Sequence, residues 1–239
     1  AEHYDARAPY ADGLSAWLCS HSDLAPGDPA CDMGAGTGAL TQVLLALQLE
    51  VTAIEPNQAM RERGNARLHN QPMTWVDATA EQSGQPGDHF RLVSFGSSFN
   101  VTRKNAALDE TVRLLKDDGW LLLLWNHRDL TDPLQARIED LIKAQIPSYR
   151  YGDRREDQGK LLDEHNAFGP VSFVELLQAH DLNKDHFRRA WRSHGTLKRQ
   201  AGAKFSNICT AIDDLLGSIP GPNLVVPYVT RAYLTQRAR

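Results

Sequence analysis

Apolar positions along this chain fall into short runs and into i, i+3, i+4 spacings, and the two kinds alternate. Residues 30–32 read as a strand. Leu40, Val43, Leu44 and Leu47 then recur at core-facing helical spacing, and 51–54 is a second strand. Met60 and Leu68 mark the inner side of a helix over 58–69, ahead of a third strand at 73–76. The block 90–95 has the continuous hydrophobicity of a parallel strand buried on both faces. Leu108, Val112 and Leu115 define a helix over 104–116; Asp117-Asp118-Gly119 ends it, with Gly119 as a left-handed cap, and 120–125 is a central strand. Strands alternating with helices predict an α/β fold around a parallel sheet.

The flanks differ in texture. Leu14, Trp17 and Leu18 sit at helical spacing after Pro9, and Pro26-Gly27-Asp28-Pro29 breaks the chain before the first strand. Downstream, Asp132 caps and Pro133 opens a helix with Leu134, Ile138, Leu141 and Ile142 inward. Residues 147–157 are dense in charge and aromatics, with no period. Ser172-x-x-Glu175 fits a capping box for a short helix through Leu177, and 187–193 reads as strand six. A helix carrying Phe205, Ile208, Ile212, Leu215 and Leu216 ends at Gly217, and 228–235 alternates as a last, antiparallel strand. The expected architecture is a single domain over 1–239, built on a Rossmann-like seven-stranded mixed sheet with helices on both faces. Within it, 1–29 is an N-terminal helix and lid, 30–127 the nucleoside-binding core, 128–170 a small cap insertion, and 171–239 the part that completes the sheet.

The chemistry concentrates in 30–57. Gly34, Gly36 and Gly38 follow the first strand, where a backbone must turn sharply and approach a ligand with no Cβ in the way. Glu55 closes the second strand about twenty residues on, placed to accept hydrogen bonds from both hydroxyls of a ribose. Gly34-x-Gly36-x-x-Ala39 also satisfies the relaxed dinucleotide fingerprint, which keeps a nicotinamide cofactor in play. Asp32 weighs the other way, because a carboxylate at that position repels a pyrophosphate and attracts an amine. Asp77, after the third strand, is in the right order to reach an adenine amino group. A ribose, an adenine and a cationic amino-acid tail without phosphate describe S-adenosylmethionine.

The segments C-D-M-G-A-G-T-G, A-I-E-P-N, W-V-D-A-T-A-E, F-R-L-V-S-F-G-S-S-F-N and L-L-K-D-D-G-W-L-L-L-L-W-N occur in order over about 30–127. In these the chain resembles the class I S-adenosylmethionine-dependent methyltransferases, especially the small type 11 group. The resemblance implies a cofactor set of Asp32, Gly34, Ala35, Gly36 and Gly38 around the methionine moiety, Glu55 with Pro56 at the ribose, Asp77 with Ala78 at the adenine, and Ser97. It also implies that the N-terminal segment folds over the cofactor as a lid. Where the family usually reads Phe-His-Trp, this chain has Phe99-Asn100-Val101. Asn100 cannot take a proton, but it can hydrogen-bond an acceptor or turn its carbonyl oxygen towards a sulfonium. His127, just beyond the central strand, is the other catalytic candidate. Tyr4, Tyr10, Asn126, Tyr149, Tyr151, Arg154 and His194 are candidates for binding the substrate. Arg150, Arg154 and Arg155 suit an acidic acceptor, although Asp153, Glu156 and Asp157 are close enough in sequence to offset them.

The implied function is in-line methyl transfer to a small molecule, of a specialised metabolism among others. Two alternatives use the same pocket: cyclisation of the cofactor on its own amino or carboxyl group with release of methylthioadenosine, and nucleoside binding without catalysis. The remaining composition narrows little. A net charge of −4 argues against a general nucleic-acid binder, and no apolar run approaches a membrane span. The three cysteines are far apart and outside metal-ligand spacing, which fits free thiols in a reducing cytoplasm and no bound metal. A monomer or homodimer with a small-molecule substrate is the expected working form.

Overall fold

Pro29 and the turn before it prevent helix and open β1 (Pro29–Met33), which β2 (Glu50–Ile54), β3 (Met73–Val76) and β4 (Phe90–Gly96) join as parallel neighbours. The computed structural model describes residues 8–238, with every side chain except that of Asp153. Along the chain lie α1 (Gly13–His21), α2 (Ala39–Ala46), α3 (Gln58–Arg67), α4 (Lys104–Leu114), β5 (Leu115–Arg128), α5 (Pro133–Gln145) and α6 (Gly159–Glu164). They are followed by β6 (Ser172–Asn183), α7 (Lys184–Arg192), α8 (Gly195–Ala201), α9 (Phe205–Gly217) and β7 (Asn223–Gln236). The strands make one mixed seven-stranded sheet in the order β3-β2-β1-β4-β5-β7-β6, the expected Rossmann-like α/β class.

The described chain separates into two compact units. The first holds 10–126, 156–176 and 230–238; the second holds 8–9, 127–155 and 177–229. Strands β5, β6 and β7 each contribute to both.

In the first unit the period-two geometry of a strand explains the long apolar run. Leu121, Leu123 and Trp125 join a core with Val93, Phe95, Phe99, Leu108 and Leu162, whereas Leu122 and Leu124 join another with Leu14, Leu18, Leu40 and Leu44. Each large side chain so buried contributes about 1.5–3 kcal/mol, which is why β5 can be hydrophobic throughout. Register then sets the functional edge. Met33 lies opposite Ile54, and Ile54 opposite Val76, so Gly34, Glu55 and Asp77 follow one step past three aligned strand ends.

The second unit packs Ile138 and Ile142 of α5, Phe187 and Trp191 of α7, Leu197 of α8 and Ile208, Ile212 and Leu216 of α9 around one core. The Asp132 side chain accepts from Gln135 N and Pro133 takes the first turn, as expected of this helix start.

Three local expectations are overturned. Residues 187–193 are helical, not strand six: Asn183 caps α7, and Phe187 and Trp191, four apart, share its buried side. Strand six is 172–183 instead. Its even positions, Val174, Leu176, Gln178, His180 and Leu182, are the better covered, so alternation prevails over the apparent capping box. Gly119 is no left-handed cap either. Helix α4 ends at Leu114, and a Cβ on Gly119 would fall 2.9 Å from Leu115 Cδ2 and 3.0 Å from Phe90 O, so close approach is what requires glycine there.

Candidate active site

The loop after β1 turns by three left-handed residues, Gly34 (φ 66°), Gly36 (φ 61°) and Gly38 (φ 81°), a region that L side chains rarely enter. Ala35 N–H donates to Ile54 O at 2.9 Å, and Gly36 N–H to Glu55 Oε2 at 2.9 Å. Asn57 N–H reaches the other carboxylate oxygen, Oε1, also at 2.9 Å. Glu55 is 8% exposed, and each oxygen is oriented by one backbone donor while keeping a second lone-pair direction. That is the chemistry a ribose diol needs. Pro56 is exposed beside it, and Ala35 is half-buried in the loop.

Asp32 differs from expectation. Its carboxylate is wholly buried, Thr41 Oγ1 donates to Oδ2 at 2.7 Å, and Ser94 Oγ donates to Oδ1 at 3.3 Å. Burial raises its pKa to about 6, against the opposing pull of the two hydroxyls. With no exposed surface, it joins Thr41 of α2 to Ser94 of β4 and does not touch a ligand amine directly. Ser98 adds a second support by donating to Met33 O.

Asp77 is exposed and ion-paired at 2.7 Å with Arg61 Nη2, whose Nη1 donates to Glu55 O at 2.7 Å. Arg61 thus ties the tips of β2 and β3, a role that sequence spacing gave no means of finding. Ala78 is half-buried next to Asp77. Ser97 is left-handed (φ 60°), and its hydroxyl lies 3.4 Å from Tyr10 Oη. Asn100 Oδ1 accepts from Trp125 Nε1 at 2.9 Å. The carbonyl oxygen expected to turn towards a sulfonium is therefore oriented by the indole and keeps one further lone pair, while the amide N–H groups are the donors of Asn100 for a ligand. Asn126 Oδ1 accepts from Thr230 Oγ1, which accepts in turn from Ala11 N–H at 2.9 Å.

These residues all belong to the first unit. Of the other candidates, Tyr4 lies outside the described residues, and His127, Tyr149, Tyr151, Arg154 and His194 belong to the second unit. His127 and Tyr149 are buried there, Tyr151 and Arg154 half-buried. His194 accepts from Leu197 N at 3.2 Å as the cap of α8 and stacks on Trp191.

Residues 31–123 match the family described as "Methyltransferase domain". Over this segment the chain is similar to methyltransferase domains, whose methyl donor is S-adenosylmethionine. Similar curated proteins include the ubiquinone/menaquinone biosynthesis C-methyltransferases UbiE of Vibrio campbellii (30% identity over 149 residues) and Yersinia enterocolitica serotype O:8 (31% over 150). Each match covers 54% of this chain, and the chain spans 58% and 59% of those relatives. In fold, the methyltransferase domain and its surroundings resemble a proposed type II methyltransferase from Anaeromyxobacter dehalogenans, with a TM-score of 0.70 at 18% identity over 95% of this chain and 97% of that one. A Haemonchus contortus phosphoethanolamine N-methyltransferase solved with S-adenosyl-L-methionine gives a TM-score of 0.54 at 12% identity, over 95% of this chain and 53% of its own. The donor set of the methyltransferase domain suits the cofactor: an oriented carboxylate at Glu55, a second at Asp77, and a glycine loop open to close backbone approach.

Proposed function

We propose that the protein transfers a methyl group from S-adenosylmethionine to a small organic molecule. The observation that carries the reading is Glu55, with both carboxylate oxygens fixed by Gly36 N–H and Asn57 N–H at the mouth of the glycine loop. When bound, the cofactor supplies an activated methyl electrophile, so the chain's own residues need only bind, align and exclude water. Glu55 holds the ribose, the Gly34–Gly38 backbone accommodates the methionine portion, and Asp77, braced by Arg61, meets the adenine. The Asn100 amide N–H groups orient an acceptor by hydrogen bonding and cannot take a proton, so the proton that a carbon acceptor gives up on methylation passes to water. The names of the UbiE relatives favour carbon as the acceptor atom. Among the described residues no helix is long and apolar enough to cross a membrane, and Cys19, Cys31 and Cys209 are free thiols. The proposed working form is a monomer or homodimer in the cytoplasm.

The test is incubation with methyl-labelled cofactor and a metabolite extract. Label in a new product together with S-adenosylhomocysteine is the expected result. Methylthioadenosine without labelled product would replace methyl transfer by cyclisation.

A further inference from the structure

Within the second unit, Arg128 is buried among aromatic rings. Its guanidinium carbon lies 4.5 Å from the Trp191 ring centroid and 5.5 Å from that of Tyr151. Nη2 donates to Glu139 Oε2 at 2.7 Å, and Tyr151 Oη donates to the same oxygen. Lys143 Nζ is 3.2 Å from Oε1, so the Glu139 carboxylate is already shared by two cations. Arg155 stacks on Tyr151 at 4.1 Å and donates to Arg128 O at 3.1 Å, bringing a second guanidinium against the first. Tyr149 packs on Tyr151 with ring centroids 5.3 Å apart.

Three donors in this cluster, Arg128 Nε–H, Tyr149 Oη–H and Trp191 Nε1–H, are buried with no acceptor among the described residues. Tyr149 is 4% and Trp191 3% exposed. Buried donors are as a rule satisfied, and each left alone is costly. Tyr149 is moreover held in its donor form: burial pushes its pKa up to about 12, although Arg128, Arg154 and Arg155 pull it down. One acceptor, Gln135 Oε1, is also buried without a partner while its Nε2 is fixed on Pro227 O.

We infer that Arg128, Tyr149 and Trp191 bind the carboxylate of a small organic acid within the second unit. A carboxylate supplies the acceptor oxygens that Arg128 Nε–H, Tyr149 Oη–H and Trp191 Nε1–H lack, Arg128 Nη1 and Nη2 being engaged by Gln135 O and Glu139 Oε2, and the Trp191 and Tyr151 rings suit the apolar body that carries it. Gln135 Oε1 would take an N–H or O–H placed next to the acid group.

Calorimetric titration of the full chain with benzoate, succinate and inorganic phosphate at constant ionic strength tests it, with S-adenosylhomocysteine titrated in parallel. At least one carboxylate is expected to bind saturably, and about tenfold more weakly to Tyr149→Phe or Trp191→Phe. Tyr149→Phe should melt no lower than the parent, because it loses only a hydroxyl that lacked an acceptor. Binding of phosphate alone would overturn the carboxylate; no saturable binding, or equal binding by both variants, would overturn the site. Failure of the parent chain to bind S-adenosylhomocysteine would count against methyl transfer while leaving the acid site standing.

Discussion

The backbone N–H of Gly36 donates to Glu55 Oε2 at 2.9 Å, so the loop after β1 and the tip of β2 hold each other in place. Hydrogen bonds to a charged group are worth about 1.5–3 kcal/mol. Glu55→Ala is therefore expected to weaken S-adenosylmethionine binding by roughly 10- to 100-fold in calorimetry. Unchanged affinity would remove Glu55 from the ribose.

Gly34 combines a left-handed backbone with crowding, since a Cβ there would fall 2.6 Å from Ser98 Cβ. Gly27 is left-handed too, but a Cβ there meets nothing within 4 Å. Gly27→Ala should cost about 1 kcal/mol and Gly34→Ala about 2–3 kcal/mol more, because backbone or strand must shift. Urea denaturation of both variants gives the comparison, and equal losses would show that Ser98 yields freely.

Asp32 should make stability fall as the pH rises. Its native pKa of about 6 lies above the ordinary aspartate value of 3.8. Between those values the native state holds a proton that the unfolded chain has lost, so raising the pH from about 4 to above 6 removes about 3 kcal/mol. Asp32→Asn does not ionise. The stability of the parent relative to this variant should drop by about that amount between pH 4 and pH 7 in chemical denaturation, and a flat difference would show that Asp32 titrates normally.

Removing Glu139 leaves Arg128 buried without its counter-charge. Glu139→Leu is expected to cost about 3–5 kcal/mol, and the Arg128→Met, Glu139→Leu pair considerably less. A double-mutant cycle in urea measures the coupling; additive losses would mean that the two side chains do not depend on each other.

The carboxyl edge of the first unit was legible because its signals are local. Three glycines, an acid at the tip of the next strand, and an apolar run that serves two cores can all be read within short windows. What escaped depends on distant partners. Thr230 reaches Asn126 across 104 positions, and the buried ion pair joins Arg128 to a residue on the following helix, with nothing in the intervening sequence to announce either. Strand β6 was hidden by polar residues at its covered positions and by a serine and glutamate at capping-box spacing. In α7, Phe187 and Trp191 keep a helical interval with Arg188, Arg189 and Ala190 between them, but a single such interval in so short a block does not distinguish helix from strand. Arg61 could not be singled out from the other arginines of α3, because its task follows from where Glu55 O lies.

Beyond residue 9, where it enters the first unit, the chain passes from one unit to the other after residues 126, 155, 176 and 229. No single cut releases either unit as one uninterrupted peptide. Exchanging the part of the second unit beyond residue 9 for that of a relative would need two splices, at 127–155 and at 177–229, made in register with β5, β6 and β7. A chain trimmed at any one of these junctions would carry the ends of strands without the residues meant to cover them.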